Sequence, residues 1–232
     1  CGGKECIVTR VANIETAKEA GLELECQKGV VKIQALTPGT WGNYLCVKLW
    51  HEYETLESKI KEISLDFSSI TLDDAENIYE GDVLNFNFPN GRIIDRQIVR
   101  IEKNVIYFAY PLKSLKKYIK ETEKIKIRQV YFSMIVSNKD KKNETYLHLS
   151  MNKNNERYFE TYINNRSNNF RISRENAEGI IKPVFSQNAR NGCDGVANLQ
   201  PADFIGTYKS LDECSGIGSF ETRDDISIIS VP

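Results

Sequence analysis

The sequence predicts a mixed α/β or α+β fold whose core domain is interrupted by a small antiparallel β-barrel module. Apolar, strand-like runs alternate with helical patterns at both ends of the chain, which is typical of an α/β core. Between residues 64 and 112, short β segments follow one another with tight turns, which is typical of a small barrel. We therefore divide the chain into a discontinuous α/β body, residues 1–50 and 129–232, and an inserted β-rich module with a basic linker, residues 51–128.

The first part of the body is predicted as strand, helix, strand, turn and strand. The β-branched run at residues 6–11 indicates a buried strand, and a short helix is expected over residues 15–21. Residues 30–35 alternate apolar and polar side chains, as a half-exposed strand does. Residues 37–43, with one proline and two glycines, break this strand, and residues 44–49 resume it.

The inserted module carries the clearest hairpin signal. Residues 83–88 alternate as a strand, Pro89-Asn90-Gly91 supplies a turn, and a second strand is expected over residues 93–101. Asn104 separates that strand from another at residues 105–108. Three antiparallel strands should therefore follow one another here.

A basic stretch follows the module. Residues 113–128 carry seven Lys or Arg against two Glu, and Tyr118 is the one aromatic residue among them. Because acidic residues interrupt the stretch and no aromatic platform is interleaved, we interpret it as a solvated linker and not as a nucleic-acid surface.

The second part of the body returns to mixed elements. A strand is expected at residues 130–136, and residues 157–164 place their apolar side chains on one face of a helix that should pack on the sheet. Pro201 marks the first turn of another helix, and residues 226–231 are predicted as a buried strand. The sheet should therefore include strands near both ends of the chain.

Composition and charge exclude several classes of protein. The 232 residues are 41% hydrophobic and 10% aromatic, which is enough for a packed core. The 31 Lys and Arg nearly cancel the 32 Asp and Glu, so no global field favours nucleic acid or an anionic membrane as a partner. The sequence shows no apolar run long enough for a membrane span and no signal-peptide pattern at its start.

The cysteines do not indicate a metal site or a disulfide framework. They are scattered without a CxxC pair, and Cys6, Cys26 and Cys46 lie in apolar stretches that indicate small buried thiols. This usage favours synthesis in the bacterial cytoplasm. One alternative stays open at Cys1: followed by Gly2-Gly3, it matches the start of a mature lipoprotein as well as a boundary cut from a longer chain.

A search for catalytic patterns gives no catalytic residue, no cofactor and no metal. His51 and His148 are the only imidazoles, and His148 lies in an alternating segment where a position on a strand surface is expected. Nucleophile-elbow, phosphate-loop and zinc-protease motifs are missing, and the glycines at 216–218 lack the third one of a dinucleotide site. Asp194 or Asp224 could hold calcium in a surface loop, as a minor alternative.

Four segments, in order, resemble the contractile tail sheath family of phages, pyocin-like particles and extracellular contractile injection systems. They are residues 1–11, with a glycine turn and a strand ending in Arg-Val; 35–45, with Pro-Gly-Thr-Trp-Gly-Asn; 144–169, with Leu-Ser-Met, Arg-Tyr and Ile-Asn; and 192–232, with Asp-Gly, Ala-Asp-Phe-Ile-Gly and Asp-Ile-Ser-Ile. The inserted part is similar to an extra β module of the injection-system branch. Two of these segments contain the motif residues to which we assign a structural role: Pro38, Gly39, Trp41, Gly42, Asn43, Asp194 and Gly195.

The resemblance implies a structural subunit and no enzyme. Sheath subunits polymerise around an inner tube in an extended state, and they repack into a shorter, wider tube that drives the inner tube through a target envelope. The implied partners are other copies of the sheath protein, with the inner tube and the baseplate contacted through regions missing here; neither nucleic acid nor membrane is expected. The chain is interpreted as a fragment that lacks an N-terminal segment and a C-terminal domain, from a protein that assembles into a phage tail or injection particle.

Two other functions compete with this interpretation. An exported lipoprotein or surface binding module would explain Cys1 and the β-rich insertion, and it would be a monomer with a lipidated or disulfide-bonded form. An enzyme of unknown type would need a pocket with convergent polar groups and perturbed carboxylates.

Overall fold

The computed structural model describes residues 7–9, 11–139, 141–210, 213–224 and 226. Its strands are β1 (Gly21–Glu25), β2 (Lys28–Ala35), β3 (Cys46–Thr55), β4 (Ile60–Ile63), β5 (Ser69–Leu72), β6 (Val83–Asn87), β7 (Ile93–Glu102), β8 (Val105–Phe108), β9 (Lys126–Asn138), β10 (Lys141–Leu149), β11 (Phe170–Glu178) and β12 (Val184–Asn188). Its α-helices are α1 (Phe159–Asn164) and α2 (Pro201–Ile205), and short 3-10 helices cover Thr40–Tyr44, Lys113–Tyr118, Thr122–Lys124 and Gly216–Phe220.

The predicted fold class, an α/β or α+β body with an inserted barrel, is wrong: the protein is mainly β. Within the described residues every strand pairs antiparallel with its neighbours, in two sheets. The two α-helices have six and five residues. Such helices are too short to form the crossover connections that parallel strands require, so the alternation of patterns at the chain ends did not mark an α/β sheet.

The smaller sheet has three strands in the order β1-β2-β11. The apolar side chains of its central strand, Val31, Ile33 and Ala35, are all buried, and Lys32 and Gln34 lie on the opposite face. This alternation confirms the strand predicted at residues 30–35. It is also the signature of an antiparallel sheet with one face in the core and one face toward water.

The larger sheet has nine strands, and its strand β9 pairs with three others, β3, β6 and β10. The path runs β12-β3-β9-β6-β7-β8-β5-β4, and β10 also pairs with β9. Strand β3 pairs with β9 along one edge, from Cys46 opposite Ser137 to Thr55 opposite Arg128. The other edge of β9 pairs first with β6 and then with β10. Both edges of the longest strand are thus hydrogen-bonded.

The first hydrophobic cluster lies between the two sheets. It joins buried residues of the small sheet to residues of β3, β9 and β10, and α1 covers it with Phe159 and Ile163. The helix predicted at residues 157–164 is therefore confirmed as a helix that packs on the sheet. Phe132 and Phe170, both fully buried, stand on opposite sheets of this core.

The second hydrophobic cluster is built by β4 to β8, the 3-10 helix at Lys113–Tyr118 and the first residues of β9. Phe86 and Phe108 meet edge to face at its centre, 5.5 Å between ring centroids. The strands predicted at residues 83–88, 93–101 and 105–108 are confirmed as β6, β7 and β8. The domain boundaries near residues 51 and 128 stay a prediction.

Two predictions near the N-terminus are wrong. Residues 15–21 form no helix, because the Asn13 side chain accepts hydrogen bonds from the backbone of Glu15 and Thr16 and fixes a turn, after which Gly21 enters β1. Residues 7–9 and 11 belong to no strand, and Val8 is 83% exposed. The rest of that predicted strand, and residues 227–231 of the predicted C-terminal strand, lie outside the described residues.

Candidate functional site

The motif turn lies between β2 and β3 and ends in the 3-10 helix at Thr40–Tyr44. Pro38 precedes Gly39, whose φ of 145° is rare for residues with a side chain. A Cβ atom on Gly39 would stand 2.7 Å from the Trp41 ring and 2.9 Å from a carboxylate oxygen of Asp194. Only glycine therefore fits between these two side chains.

Asp194 ties a distant loop to this turn. Its carboxylate accepts hydrogen bonds from the backbone N–H of Thr40 at 3.2 Å and from the Thr40 hydroxyl at 2.5 Å. A carboxylate that accepts from the first N–H groups of a helical turn satisfies donors that the turn itself leaves free. The two motif segments are 154 residues apart in sequence and in direct contact in the fold.

Asn43 makes the second link with the same loop. Its side-chain amide donates to the carbonyl of Gly192 at 2.9 Å, and its side-chain oxygen accepts from the N–H of Gly192 at 2.8 Å. Gly42 packs so closely that a Cβ would lie within 2.9 Å of the methyl groups of Ala20 and Ala35. Trp41 is half-buried and packs against the first cluster.

A third segment, residues 13–18, completes the arrangement, which we call the motif junction. Gly195 has a φ of 66°, and its carbonyl accepts from the N–H of Asn13 at 2.8 Å. The carbonyl of Lys18 accepts from the N–H of Gly39 at 3.0 Å and from the N–H of Cys193 at 2.9 Å. The seven motif residues singled out in the sequence thus lie together, while the role of residues 13–18 was missed because a helix was expected there.

The polar side chains of the motif junction bond to other parts of the junction. The Asp194 carboxylate accepts from the backbone N–H and the hydroxyl of Thr40, and the Asn43 side chain both donates to and accepts from the backbone of Gly192. Among the described residues no group of three or more His, Cys, Asp and Glu side chains could hold a metal ion, at Asp194, at Asp224 or elsewhere. The arrangement can fix the relative positions of three chain segments.

A second polar cluster surrounds His148 on the outer face of the large sheet. The residue lies in β10, as expected, but at a bulge where its φ is 54°. Its Nδ1 lies 3.3 Å from Glu52 and its Nε2 lies 3.4 Å from Glu54, and its ring stacks on Tyr131 at 4.0 Å between centroids. Burial raises the pKa of Tyr131 to about 12. The i, i+2 spacing of the two glutamates in a strand could have indicated this shared face.

Ser133 is part of the same cluster, but the geometry does not make it a nucleophile. Its hydroxyl donates to Glu52 at 2.5 Å and accepts from the backbone N–H of His148, and Ser133 is fully buried. Glu52 therefore stands between the hydroxyl and the imidazole. A serine activated for attack needs the imidazole next to its oxygen.

Asp82 is a buried carboxylate at the seam between the two hydrophobic clusters. It is 2% exposed, and it accepts hydrogen bonds from the side chains of Asn152 and Gln129 and from the backbone of Tyr79, at 2.8 to 2.9 Å. Burial raises the pKa of this carboxyl above its usual range. Its neighbour Val83 belongs to the first cluster and Leu84 to the second, so the network sits where the two cores meet.

Cys26, Cys46 and Cys193 are free thiols. Cys26 is buried, as predicted, and desolvation raises its pKa to about 11. Cys46, predicted to be buried, is instead partly exposed and lies 3.2 Å from the hydroxyl of Ser186. Cys1 and Cys6 lie outside the described residues.

No protein-family model and no curated protein matches this chain. In the part of the chain that the structure describes, no helix is both long enough and apolar enough to span a membrane.

Proposed function

We propose that this protein is a structural subunit of a contractile tail sheath, which polymerises around an inner tube and contracts to drive that tube through a target envelope. The observation that supports the proposal most directly is the motif junction. The two segments that carry the most specific resemblance, around Trp41 and around Asp194, hold each other through side-chain hydrogen bonds. Because the two segments bond to each other, each needs the other to keep its position, which explains why both occur in one sequence.

The geometry of the motif junction suits a subunit that moves as a rigid body. Contraction of such an assembly changes contacts between subunits while each subunit keeps its own fold, so the energy is stored in the interfaces. Closely packed glycines and reciprocal hydrogen bonds, as at Gly39 and Asn43, resist internal rearrangement. The proposed partners are further copies of the same protein, the inner tube and the baseplate, in a particle assembled after synthesis in the bacterial cytoplasm.

Negative-stain electron microscopy of the full-length product of the gene tests this proposal. We expect striated hollow tubes. The substitution Asp194→Ala removes the bond to Thr40 and should shorten or abolish the tubes, while Asp224→Ala, at an exposed position, should leave them intact. Circular dichroism on both variants checks that they fold.

A uniform small particle in place of tubes, at every concentration tested, would contradict the sheath function. Tubes that form equally well with either aspartate replaced would retain the sheath function and remove the role given to the motif junction.

A further inference from the structure

A basic groove opens on the surface of the second cluster, between the turn that joins β6 to β7 and the 3-10 helix at Lys113–Tyr118. Its volume is about 270 Å³, and Arg92, Lys113, Lys116 and Lys117 line it together with Asn90 and Tyr118. The turn is held by two backbone hydrogen bonds, from the N–H of Phe88 to the carbonyl of Arg92 and from the N–H of Gly91 to the carbonyl of Phe88, and the buried Leu115 anchors the 3-10 helix. Two tight local structures therefore place four cationic side chains around one concavity.

The charge of the groove is uncompensated. Its lining contains no acidic side chain. Among the described residues, none of the four cations forms an ion pair with a carboxylate, whereas Lys124, further along the basic stretch, pairs with Glu121 at 3.0 Å. Four like charges around a small concavity create a local positive potential even in a chain whose net charge is −1. This is the electrostatic arrangement that attracts an anionic group.

The lining also contains an aromatic ring, that of Tyr118, which favours an anion that carries a sugar ring. Tyr118 is partly exposed and packs on the buried Phe88, with 5.3 Å between ring centroids. A partly exposed ring supported from behind offers a rigid apolar face of the size of a sugar ring. In the same lining, the Asn90 side-chain oxygen accepts from the backbone N–H of Arg92 at 3.1 Å, and its amide N–H groups can donate to a sugar hydroxyl.

We infer that the basic groove binds an anionic saccharide, one or two sugar units that carry a sulfate or phosphate ester. The ester would face Arg92 and the lysines, since guanidinium and ammonium groups are the usual partners of such oxyanions. One face of the sugar would pack on Tyr118. A long nucleic acid fits less well, because the groove is small and offers one exposed ring where single strands use a series of stacked ones.

This inference does not rest on the sheath function. It gives the second cluster a binding role of its own, which an isolated subunit and an assembled one could both perform.

The test measures binding of a heparin-derived sulfated disaccharide to the 232-residue protein by calorimetry and by backbone amide shifts, at about 150 mM salt to screen diffuse charge. We expect saturable binding with shift changes centred on Asn90, Ser114 and Tyr118. The triple variant Lys113→Gln/Lys116→Gln/Lys117→Gln should weaken binding about tenfold or more. A matched triple, Lys59→Gln/Lys61→Gln/Lys103→Gln, removes the same charge from lysines that do not line the groove and should change the affinity less than about twofold.

The variant Tyr118→Leu separates sugar recognition from anion binding. It keeps an apolar side chain on Phe88 and should weaken the disaccharide about fivefold or more, while inorganic sulfate, which binds more weakly throughout, is unaffected. Equal losses from the two lysine triples, equal affinity for sulfate and disaccharide, or tighter binding of a short oligonucleotide would each overturn the inference. The absence of saturable binding by both sulfated and phosphorylated disaccharides would do the same.

Discussion

Asp82 places a carboxylate at the seam between the two hydrophobic clusters. Its carboxylate is buried, and the three hydrogen bonds that it accepts come from neutral amide groups. Desolvation disfavours the charged form, while hydrogen bonds to the carboxylate favour it, and the first effect is larger because the pKa is raised. The ionised residue therefore costs stability at neutral pH.

The pH dependence of stability follows from this sign. An unfolded aspartate has a pKa of about 3.9, and the folded value lies above it, so the stability that Asp82 contributes is present below about pH 4 and is lost as the pH rises through the folded value. In Asp82→Asn this loss should disappear. The measurement is the free energy of unfolding by urea between about pH 2 and about pH 7, for both proteins.

A residue with the opposite shift provides the control. The Ser68 and Ser64 hydroxyls lower the pKa of the exposed Asp66 to about 2, so its contribution is present above about pH 4 and is lost as the pH falls. Asp66→Asn should therefore change the pH profile in the other direction. If both variants altered the profile in the same direction, the assignment of the Asp82 effect to burial would be wrong.

At the scale of single residues, the sequence identified the motif residues but not their partners. Gly39, Trp41 and Asp194 could be named because they lie in the segments whose residue types and order resemble the tail sheath family. The contact of Asp194 with Thr40, like that of Asp82 with Asn152, joins positions far apart in the chain. No local spacing rule encodes such pairs.

At the scale of the elements, helix α1 covers one edge of the small sheet. Strand β11 forms one edge of the small sheet, and α1 lies beside it. The Asn164 side chain accepts from the N–H of Ile172 and donates to its carbonyl, both at 2.8 Å, and Glu160 accepts from the N–H of Arg174. Side chains of a helix thus take the place of a neighbouring strand, which keeps the edge from pairing with another chain.

Replacing Asn164 should expose this edge. We expect Asn164→Ala to lower the free energy of unfolding by about 1–3 kcal/mol, because a strand N–H and carbonyl lose their partner. Hydrogen exchange at the Ile172 amide should accelerate more than exchange at amides of β9. The exposed neighbour Asn165, replaced by alanine, is the matched control, and an equal effect of the two substitutions would contradict the role given to Asn164.

Predictions of single elements were correct where the apolar pattern and the turn residues of a segment indicated the same structure. The hairpins of β6 to β8 were correct because alternation and turn residues agree there, and α1 was correct because its apolar face is clear. Residues 15–21 were wrong because the Asn13 side chain and a bridge between Lys18 and Cys193 override a weak helical pattern. The short strand β5 was predicted only as part of the β-rich segment at residues 64–112, and β4, which ends at Ile63, was not predicted.

At the scale of the whole molecule, the fold class was wrong because it rested on alternation of patterns and not on pairing. Strand β9 was predicted at about half its length, and its apolar residues divide between the clusters: Ile127 belongs to the second, and Phe132 to the first. The pairing of β9 with β3 extends from Ser137 to Arg128, and the N–H of Leu56, just after β3, donates to the carbonyl of Ile127 at 3.1 Å. The two cores should therefore unfold together.

This cooperativity can be measured because both tryptophans lie outside the second cluster. Truncating Phe86 to alanine leaves a cavity in the second cluster and should cost about 3–5 kcal/mol. We expect the midpoint of urea unfolding, detected by the fluorescence of Trp41 and Trp50, to fall accordingly, while Leu65→Ala, at a 99% exposed position, leaves it unchanged. A tryptophan signal insensitive to Phe86→Ala would mean that the cores unfold independently.

The passage of β9 through both cores also has a mechanical consequence. A load applied along β9 at one core would act in shear on the hydrogen bonds that join it to β3, so that many bonds resist at once instead of opening one after another. A torque applied at the second cluster would then be transmitted to the first cluster through these paired strands.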